Sequence, residues 1–474
     1  MAVIPFVVDL DGTLLRSDLL LESGMAFVRS QPLNLFRTLS WLRQGKAHLK
    51  AHLAGVSEID VSLLPYDPVI ISMIEEQRRT GRRVVLATAS HHFLVDRIAG
   101  HLALFDQVLS SSAERNLSGT RKRDVLVELY GEKGFDYVGN SRDDLVVWRS
   151  ANLAYVVNPL PGVERAARSM GNVEQVIHSR SVGFKVWSKA LRIHQWVKNA
   201  LIFVPLLAAH QLGNLSLLWK GVLAFLLFGL CASGVYILND LLDLGDDRRH
   251  PTKHRRPFAS GELSIQSGLV AFPILLAIAF GGAIWLLPGQ FSTVLVIYYL
   301  LTLGYSLALK RVMALDVVAL ALLYTLRIVA GSVVFGLELT VWILAFSMFM
   351  FLSLALVKRY SELSVALSKG NEGAISGRDY FTVDLEMLSS MGTASGYLSV
   401  LVLVLYIHDG GTLSLYSHPQ FIWLACPLLL FWITRIWILT HRGLMNEDPV
   451  VFALHDYISL AVGGLFCLIF WMAI

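Results

Sequence analysis

Two carboxylates two residues apart, Asp9 and Asp11, leave an apolar run at residues 3–8 and sit in Asp9-Leu10-Asp11-Gly12-Thr13. Such a pair can divide the work at a phosphate ester. Asp9 attacks phosphorus, while Asp11 protonates the leaving group and then activates water. Thr88, in Thr88-Ala89-Ser90, can hold phosphoryl oxygens, and Lys122, in Gly119-Thr120-Arg121-Lys122-Arg123, can offset the charge of nucleophile and phosphate. Asn140, Asp143 and Asp144, in Gly139-Asn140-Ser141-Arg142-Asp143-Asp144, join Asp9 as an oxygen donor set suited to Mg²⁺.

A second acidic set lies in Asn239-Asp240-Leu241-Leu242-Asp243-Leu244-Gly245-Asp246-Asp247, at the end of an apolar stretch. At ~3.6 residues per turn, Asn239, Asp243 and Asp247 fall on one helical stripe with Asp240 beside it. Carboxylates crowded at a membrane boundary repel unless a cation joins them, and Mg²⁺ shared with substrate phosphates is the natural solution. Lys253, Arg255 and Arg256 follow directly, with Arg248 and Arg249 before them. Acids for a metal beside cations for phosphate oxygens imply a diphosphate substrate. A purely topological basic loop would explain the arginines but leave the acids unexplained.

Further polar residues interrupt apolar segments: Arg192, Lys198 and Asn199; Tyr305 and Lys310; Asp316, Tyr324 and Arg327; Lys358, Arg359 and Glu362. All are candidates for substrate binding. Lys310, Lys358 and Arg359 equally suit ordinary basic flanking of membrane spans. Asp316 and Arg327 are eleven residues apart, three helical turns, and so share a face; Arg327 requires a partner or a polar cavity.

The elements that must position these residues differ in kind. Residues 1–180 hold 41 of the 76 charged residues, whereas the longer remainder is sparsely charged. In the front part, strands near residues 3–8, Arg83–Ala87 and Phe135–Val138 each run into one of the motifs, with helical stretches between them. A doubly wound α/β sheet is expected, with its ligands at the carboxyl ends of the strands. Residues 14–70 read as a small helical cap. The back part carries apolar stretches near 196–212, 217–238, 266–287, 291–309, 315–335, 340–357, 395–407, 419–440 and 456–474, about nine transmembrane helices.

Loop charge sets the expected orientation. The connections 239–265, 310–314, 358–394 and 441–455 hold twelve lysines and arginines, including Lys369, Arg378 and Arg442; the opposite connections hold none. This asymmetry predicts a multi-pass protein of the inner membrane with residues 1–195 in the cytoplasm. The start of the chain lacks a basic n-region and a cleavage-like site, so no secretory signal is expected.

Composition narrows the function classes. The chain of 474 residues is 55% hydrophobic and 16% charged, with mean hydropathy +0.57, which argues against a wholly soluble enzyme. A net charge of +4 without a dense basic tract argues against nucleic acid as a partner. Three dispersed cysteines form neither a disulfide framework nor a C-x-x-C metal pair.

The D-x-D-G-T, T-A-S, basic-residue and G-N-S-x-D-D series resembles the haloacid dehalogenase (HAD) phosphohydrolases over residues 1–180. The resemblance implies a Mg²⁺-dependent phosphatase with Asp9 as nucleophile. Asn140 departs from the aspartate usual at that point; an amide oxygen can ligate but carries no charge. Residues 181–474, with N-D-x-x-D-x-x-x-D and Tyr305-x-x-x-x-Lys310, resemble the UbiA prenyltransferase superfamily. Within it the likeness is to the decaprenyl-phosphate phosphoribosyltransferase branch, carried by Gln195-Trp196-Val197-Lys198-Asn199, His250-Pro251-Thr252-Lys253 to Arg256-Pro257, Leu315-Asp316, Tyr324 and Arg327. Two departures stand out. Ile193 follows Arg192 where the branch commonly has proline, and 358–394 lacks a second D-x-x-x-D, offering Glu362, Glu372, Asp379 and Asp384 at other spacings.

That branch implies transfer of phosphoribosyl from phosphoribosyl diphosphate to the membrane lipid polyprenyl phosphate, and a possible homo-oligomer. The front domain would then remove the ribose 5-phosphate. Two alternatives stay open: an aromatic prenyltransferase with a prenyl diphosphate donor, and a membrane-anchored binding protein with an inactive HAD domain.

Overall fold

Six short strands rich in β-branched residues stack in parallel in the order β3-β2-β1-β4-β5-β6: β1 Phe6–Val8, β2 Val84–His91, β3 Gln107–Ser111, β4 Asp136–Gly139, β5 Ala154–Val157 and β6 Val173–Ile177. The computed structural model describes every residue except 1–3, 32–33, 35–39, 42, 57, 113–114, 181, 369–378, 410–415 and 446–447. Lys369, Glu372 and Arg378 of the expected loop therefore lie outside the described residues.

The α/β layer follows from burial on both faces. Phe6, Val7 and Val8 are wholly buried, as central parallel strands require. One sheet face packs with Leu86, Ile70, Ile74 and Ile98, the other with Val85, Leu126, Trp148 and Val156. Val8 pairs with Leu86 of β2 and with Val138 of β4, so the three motifs lie side by side; β2 does not stop at Ala87 as expected but runs through Thr88-Ala89-Ser90 to His91. This central crevice is where ligands of open α/β sheets bind. The expected cap region contains the helices Leu19–Ser30 and Lys46–Val56; the first is capped by Asp18, which accepts from the backbone N–H of Leu20 and Leu21.

The chain forms two compact units, residues 1–191 with 236–273, and residues 192–235 with 274–474. The acidic segment 239–247 thus belongs to the same unit as the sheet.

Seven helices among the described residues are long and apolar enough to cross a membrane: Leu215–Leu242, Ile265–Leu286, Gly289–Leu307, Leu315–Phe335, Val341–Ser368, Thr382–Ile407 and Pro419–His441. A bent pair, Pro449–His455 and Tyr457–Ala473, meets at 86° and makes up to eight. The count of nine is corrected at its first member. Residues 193–203 form 3-10 turns, and Pro205, which has no N–H, opens a separate short helix at Val204–Ala208.

The core of the second unit packs Phe351, Leu354, Tyr360, Ile433 and Trp437. Small residues let backbone and ring atoms approach closely there. A Cβ on Gly331 would lie 1.9 Å from the Ile202 carbonyl oxygen, and one on Gly392 would lie 2.0 Å from the Trp437 ring.

Candidate active sites

The end of β1 delivers Asp9 into the sheet crevice, where its backbone N–H donates to the Val138 carbonyl at 3.0 Å. The Lys122 ammonium donates to Asp9 Oδ1 at 2.7 Å and to the Tyr137 hydroxyl at 2.9 Å. Tyr137 in turn donates to Asp144 Oδ1 at 2.8 Å. Asp144 Oδ2 accepts from the N–H groups of Asn140 and Ser141 and from the Ser141 hydroxyl. Asp144 therefore shapes the loop after β4 with both oxygens, and Asp143 is exposed beside it.

Burial pushes the Asp9 carboxyl up to about 7, with Lys122 pulling it back and Asp144 and Asp11 pushing further. For Lys122, burial works against the charge, but Asp9 and Asp144 outweigh it and hold the ammonium above its ordinary range.

Asp11 is held separately. Its Oδ1 accepts from the Leu19 N–H at 2.8 Å, and its Oδ2 from Ser90 Oγ at 2.6 Å and Thr88 Oγ1 at 3.4 Å. Gly12 has φ +76°, and a Cβ there would fall 2.2 Å from Asn140 Nδ2. The DxDGT turn is thus a cradle closed by the Asn140 amide, within which Asp9 and Asn140 are hard oxygen donors suited to Mg²⁺.

The second acidic set sits where the Leu215–Leu242 helix breaks and Leu244–Arg249 begins, with Asp243 at the break (φ −95°, ψ 13°). The expected single stripe splits into two pairs. Arg256 Nη1 lies 3.0 Å from Asp240 Oδ1 and 2.7 Å from Asp247 Oδ2. Asn239 donates to Asp243 Oδ2 at 3.1 Å. Asp240 and Asp247 are buried, and burial raises the Asp247 carboxyl, with Arg256 opposing. Lys253 and Arg255 are exposed on a short turn.

One guanidinium nitrogen bridging two carboxylates stands where a cation would, so this donor set also fits Mg²⁺. Among the described residues no three His, Cys, Asp or Glu side chains converge on a metal position. Mg²⁺ commonly uses one or two carboxylates and completes its shell with substrate phosphates and water.

In the second unit, Lys198 donates to Asp448 Oδ2 at 2.7 Å; Lys358 approaches the same oxygen at 3.4 Å, and the Tyr324 hydroxyl lies 3.3 Å from Oδ1. Arg327 finds its partners in Asn199 Oδ1 (3.0 Å), the Tyr298 hydroxyl (3.1 Å) and the Leu323 carbonyl, with the Tyr298 ring 5.0 Å away. Asp316 shares Arg327's helix but pairs elsewhere. Its Oδ2 meets Arg359 at 2.7 Å and its Oδ1 accepts from Tyr380 at 2.6 Å, both charges fully buried; Arg359 also bonds Glu362. Tyr305 lies in the field of Arg359 and Lys358, Lys310 is on the turn Leu309–Arg311, and Arg192 adopts a left-handed conformation at the entry to Ile193–Phe203.

Sequence reasoning missed Asp448, Tyr137, Ser90, Glu22 and Arg29. Two carried a local signal: Ser90, within the Thr88-Ala89-Ser90 motif, and Asp448, an acid directly before Pro449 that caps a new helix by accepting from the Val450 N–H. The others become functional candidates only through long-range contacts.

The UbiA prenyltransferase family matches residues 200–461, more than half of the chain, and the haloacid dehalogenase-like hydrolases match residues 6–128. The chain belongs to the UbiA prenyltransferase family. It joins a UbiA-type transferase to an N-terminal HAD-like domain. The uncharacterized protein y4nM of Sinorhizobium fredii is 39% identical over 99% of this chain and 91% of that protein. The nodulation protein NoeC of Azorhizobium caulinodans is 35% identical over 59% of this chain and 90% of that one. The decaprenyl-phosphate phosphoribosyltransferase of Corynebacterium glutamicum is 31% identical over 59% and 85%. Among solved structures, a UbiA homologue from Archaeoglobus fulgidus bound to DMAPP and Mg²⁺ is 16% identical, covering 60% of this chain and 98% of its own, with a TM-score of 0.46.

Proposed function

We propose that the UbiA portion transfers 5-phosphoribosyl from phosphoribosyl diphosphate to a polyprenyl phosphate in the inner membrane, and that the HAD portion, on the cytoplasmic side, removes the ribose 5-phosphate. The observation that carries the transferase reading is the gathering of Asp240 and Asp247 on a single cationic nitrogen at the end of a span. It is supported by a relative named decaprenyl-phosphate phosphoribosyltransferase, most of whose length the chain covers. The missing second aspartate motif after the sixth expected span also favours a phosphoribosyl donor over a prenyl one.

Bound Mg²⁺ would neutralise the diphosphate as it leaves ribose C1. One or two carboxylates of the Asp240, Asp243 and Asp247 set would hold that ion together with the substrate phosphates, and Asp9 with Asn140 would hold a second one in the sheet crevice. The acceptor phosphate is already anionic and needs no strong base. Lys198, Lys358 and Arg327 supply the positive surroundings that suit a phosphate. An apolar cavity of about 530 Å³, lined by Val204, Trp342, Phe346, Tyr406 and Phe470 among others, suits an isoprenoid tail. In the HAD crevice Lys122 neutralises Asp9 and the phosphate, while Ser90 and Thr88 hold Asp11 ready to exchange its proton.

The test is membranes carrying the full chain, supplied with labelled phosphoribosyl diphosphate and polyprenyl phosphate. Label should enter the lipid fraction with Mg²⁺, Asp243→Asn should abolish it, and Asp9→Asn should make the 5-phosphorylated lipid accumulate. Label entering lipid from a prenyl diphosphate instead would overturn the donor assignment.

A further inference from the structure

Within the first unit, one helix touches both acidic centres. At its start the Leu19 N–H donates to Asp11 Oδ1 at 2.8 Å. Farther along, buried Glu22 receives both prongs of Arg248, at 3.0 and 2.7 Å. In its last turn Arg29 donates to the Leu242 carbonyl at 3.3 Å, lies 3.4 Å from Asp243 Oδ1 and bonds Asp246.

The charges around the helix break divide evenly. Asp240, Asp243, Asp246 and Asp247 lie within eight residues of one another. Arg256, from their own loop, holds Asp240 and Asp247; Arg29, from the HAD portion, holds Asp243 and Asp246. The guanidinium also meets the Leu242 carbonyl at the end of the long helix, where the helix dipole favours a cation.

Arg29's three contacts are unequal. Its approach to Asp243 is longer than a good charge-assisted hydrogen bond and is partly open to solvent, with side chains 28% and 20% exposed. The contacts to Leu242 and Asp246 would keep Arg29 in place if Asp243 turned elsewhere. Giving up such a pair costs little.

We propose that Arg29 is a positioning residue of the transferase's acidic site. It is a resident counter-ion, supplied by the HAD portion, that holds Asp243 at the helix break and yields Asp243 Oδ1 to a divalent cation. This rests on the metal-diphosphate reading above and adds that the cation must compete with a charge borne by the other domain. Removing that charge therefore tightens cation binding, whereas loss of a purely structural prop would leave it unchanged or weaken it.

The experiment is a Mn²⁺ titration of the detergent-solubilised full chain, followed by electron paramagnetic resonance. An Asp9→Asn background keeps the HAD centre from dominating the signal. Arg29→Ala should lower the Mn²⁺ dissociation constant about threefold, as expected for a part-exposed competing charge, and Arg29→Lys should stay at the parental value. Adding Asp243→Asn to Arg29→Ala should erase the gain. Hydrolysis of p-nitrophenyl phosphate by Arg29→Ala with Asp9 intact shows that this variant is folded. Unchanged or weaker Mn²⁺ binding in folded Arg29→Ala overturns the proposal, as does a tightening that Arg29→Lys shares. Failure of the parent chain to use phosphoribosyl diphosphate would instead count against the donor assignment, because the Mn²⁺ series does not depend on that substrate.

Discussion

Arg248 and Glu22, 226 residues apart in the chain, meet in a two-pronged ion pair at 3.0 and 2.7 Å with both side chains buried. The pair ties the first HAD helix to the short helix Leu244–Arg249 that carries the end of the transferase's acidic segment. Breaking a buried pair by removing one partner typically costs about 3–5 kcal/mol, because the other charge is left desolvated and alone. Glu22→Ala should lower the thermal unfolding temperature of the solubilised protein clearly. Glu22→Leu combined with Arg248→Met should recover most of the loss.

The HAD centre should show an acid limb set by Asp9. Burial raises its carboxyl to about 7, and attack on phosphorus needs the ionised form. At limiting Mg²⁺, kcat/KM for p-nitrophenyl phosphate should therefore rise with pH toward 7. Lys122 favours the carboxylate, so Lys122→Met should move that limb to higher pH as well as lower the rate. A limb displaced to lower pH in Lys122→Met would contradict the assignment.

Asn140 closes the DxDGT cradle with a neutral amide. Asn140→Asp adds a charged oxygen donor for a divalent cation. The Mg²⁺ concentration giving half-maximal phosphatase activity should fall several-fold in this variant, read from activity against Mg²⁺ at fixed substrate.

Asp448 is the shared acceptor of Lys198, Lys358 and Tyr324. Asp448→Asn leaves two lysines without their countercharge and frees Lys198 from its fixed position. Transfer of labelled phosphoribosyl to lipid should drop by about tenfold or more, the scale of losing one charge-assisted contact, while phosphatase activity is preserved.

Gly331 gives a packing test. An alanine methyl would overlap the Ile202 carbonyl, a backbone atom that cannot rotate away. Gly331→Ala should cost about 1–3 kcal/mol or more. Gly281→Ala, where a Cβ meets nothing within 4 Å, should be neutral or stabilising in the same thermal assay.

Much of this protein could be read from local chemistry. Strand-to-motif transitions at Asp9, Thr88 and Asn140 announced a parallel sheet with its site at the strand ends, and apolar runs announced the spans. The stretch 196–212 is apolar enough for a span but does not form one, because hydropathy alone does not register how Pro205 and buried Lys198 and Asn199 break a helix. Asp316 and Arg327 share a helix as their spacing required, yet each found its partner on another element.

The sequence by itself determined the two kinds of unit, the family-specific acids and the order of the motifs, because side-chain type, periodicity and hydropathy are properties of neighbours along the chain. Only the tertiary structure decided that Arg256 joins Asp240 to Asp247, that Asp448 gathers Lys198 and Lys358, and that Glu22 and Arg29 of the front domain reach the acidic segment. The reason is physical: a buried charge must be paired, and which distant group pairs with it depends on how the elements pack, which no local pattern encodes.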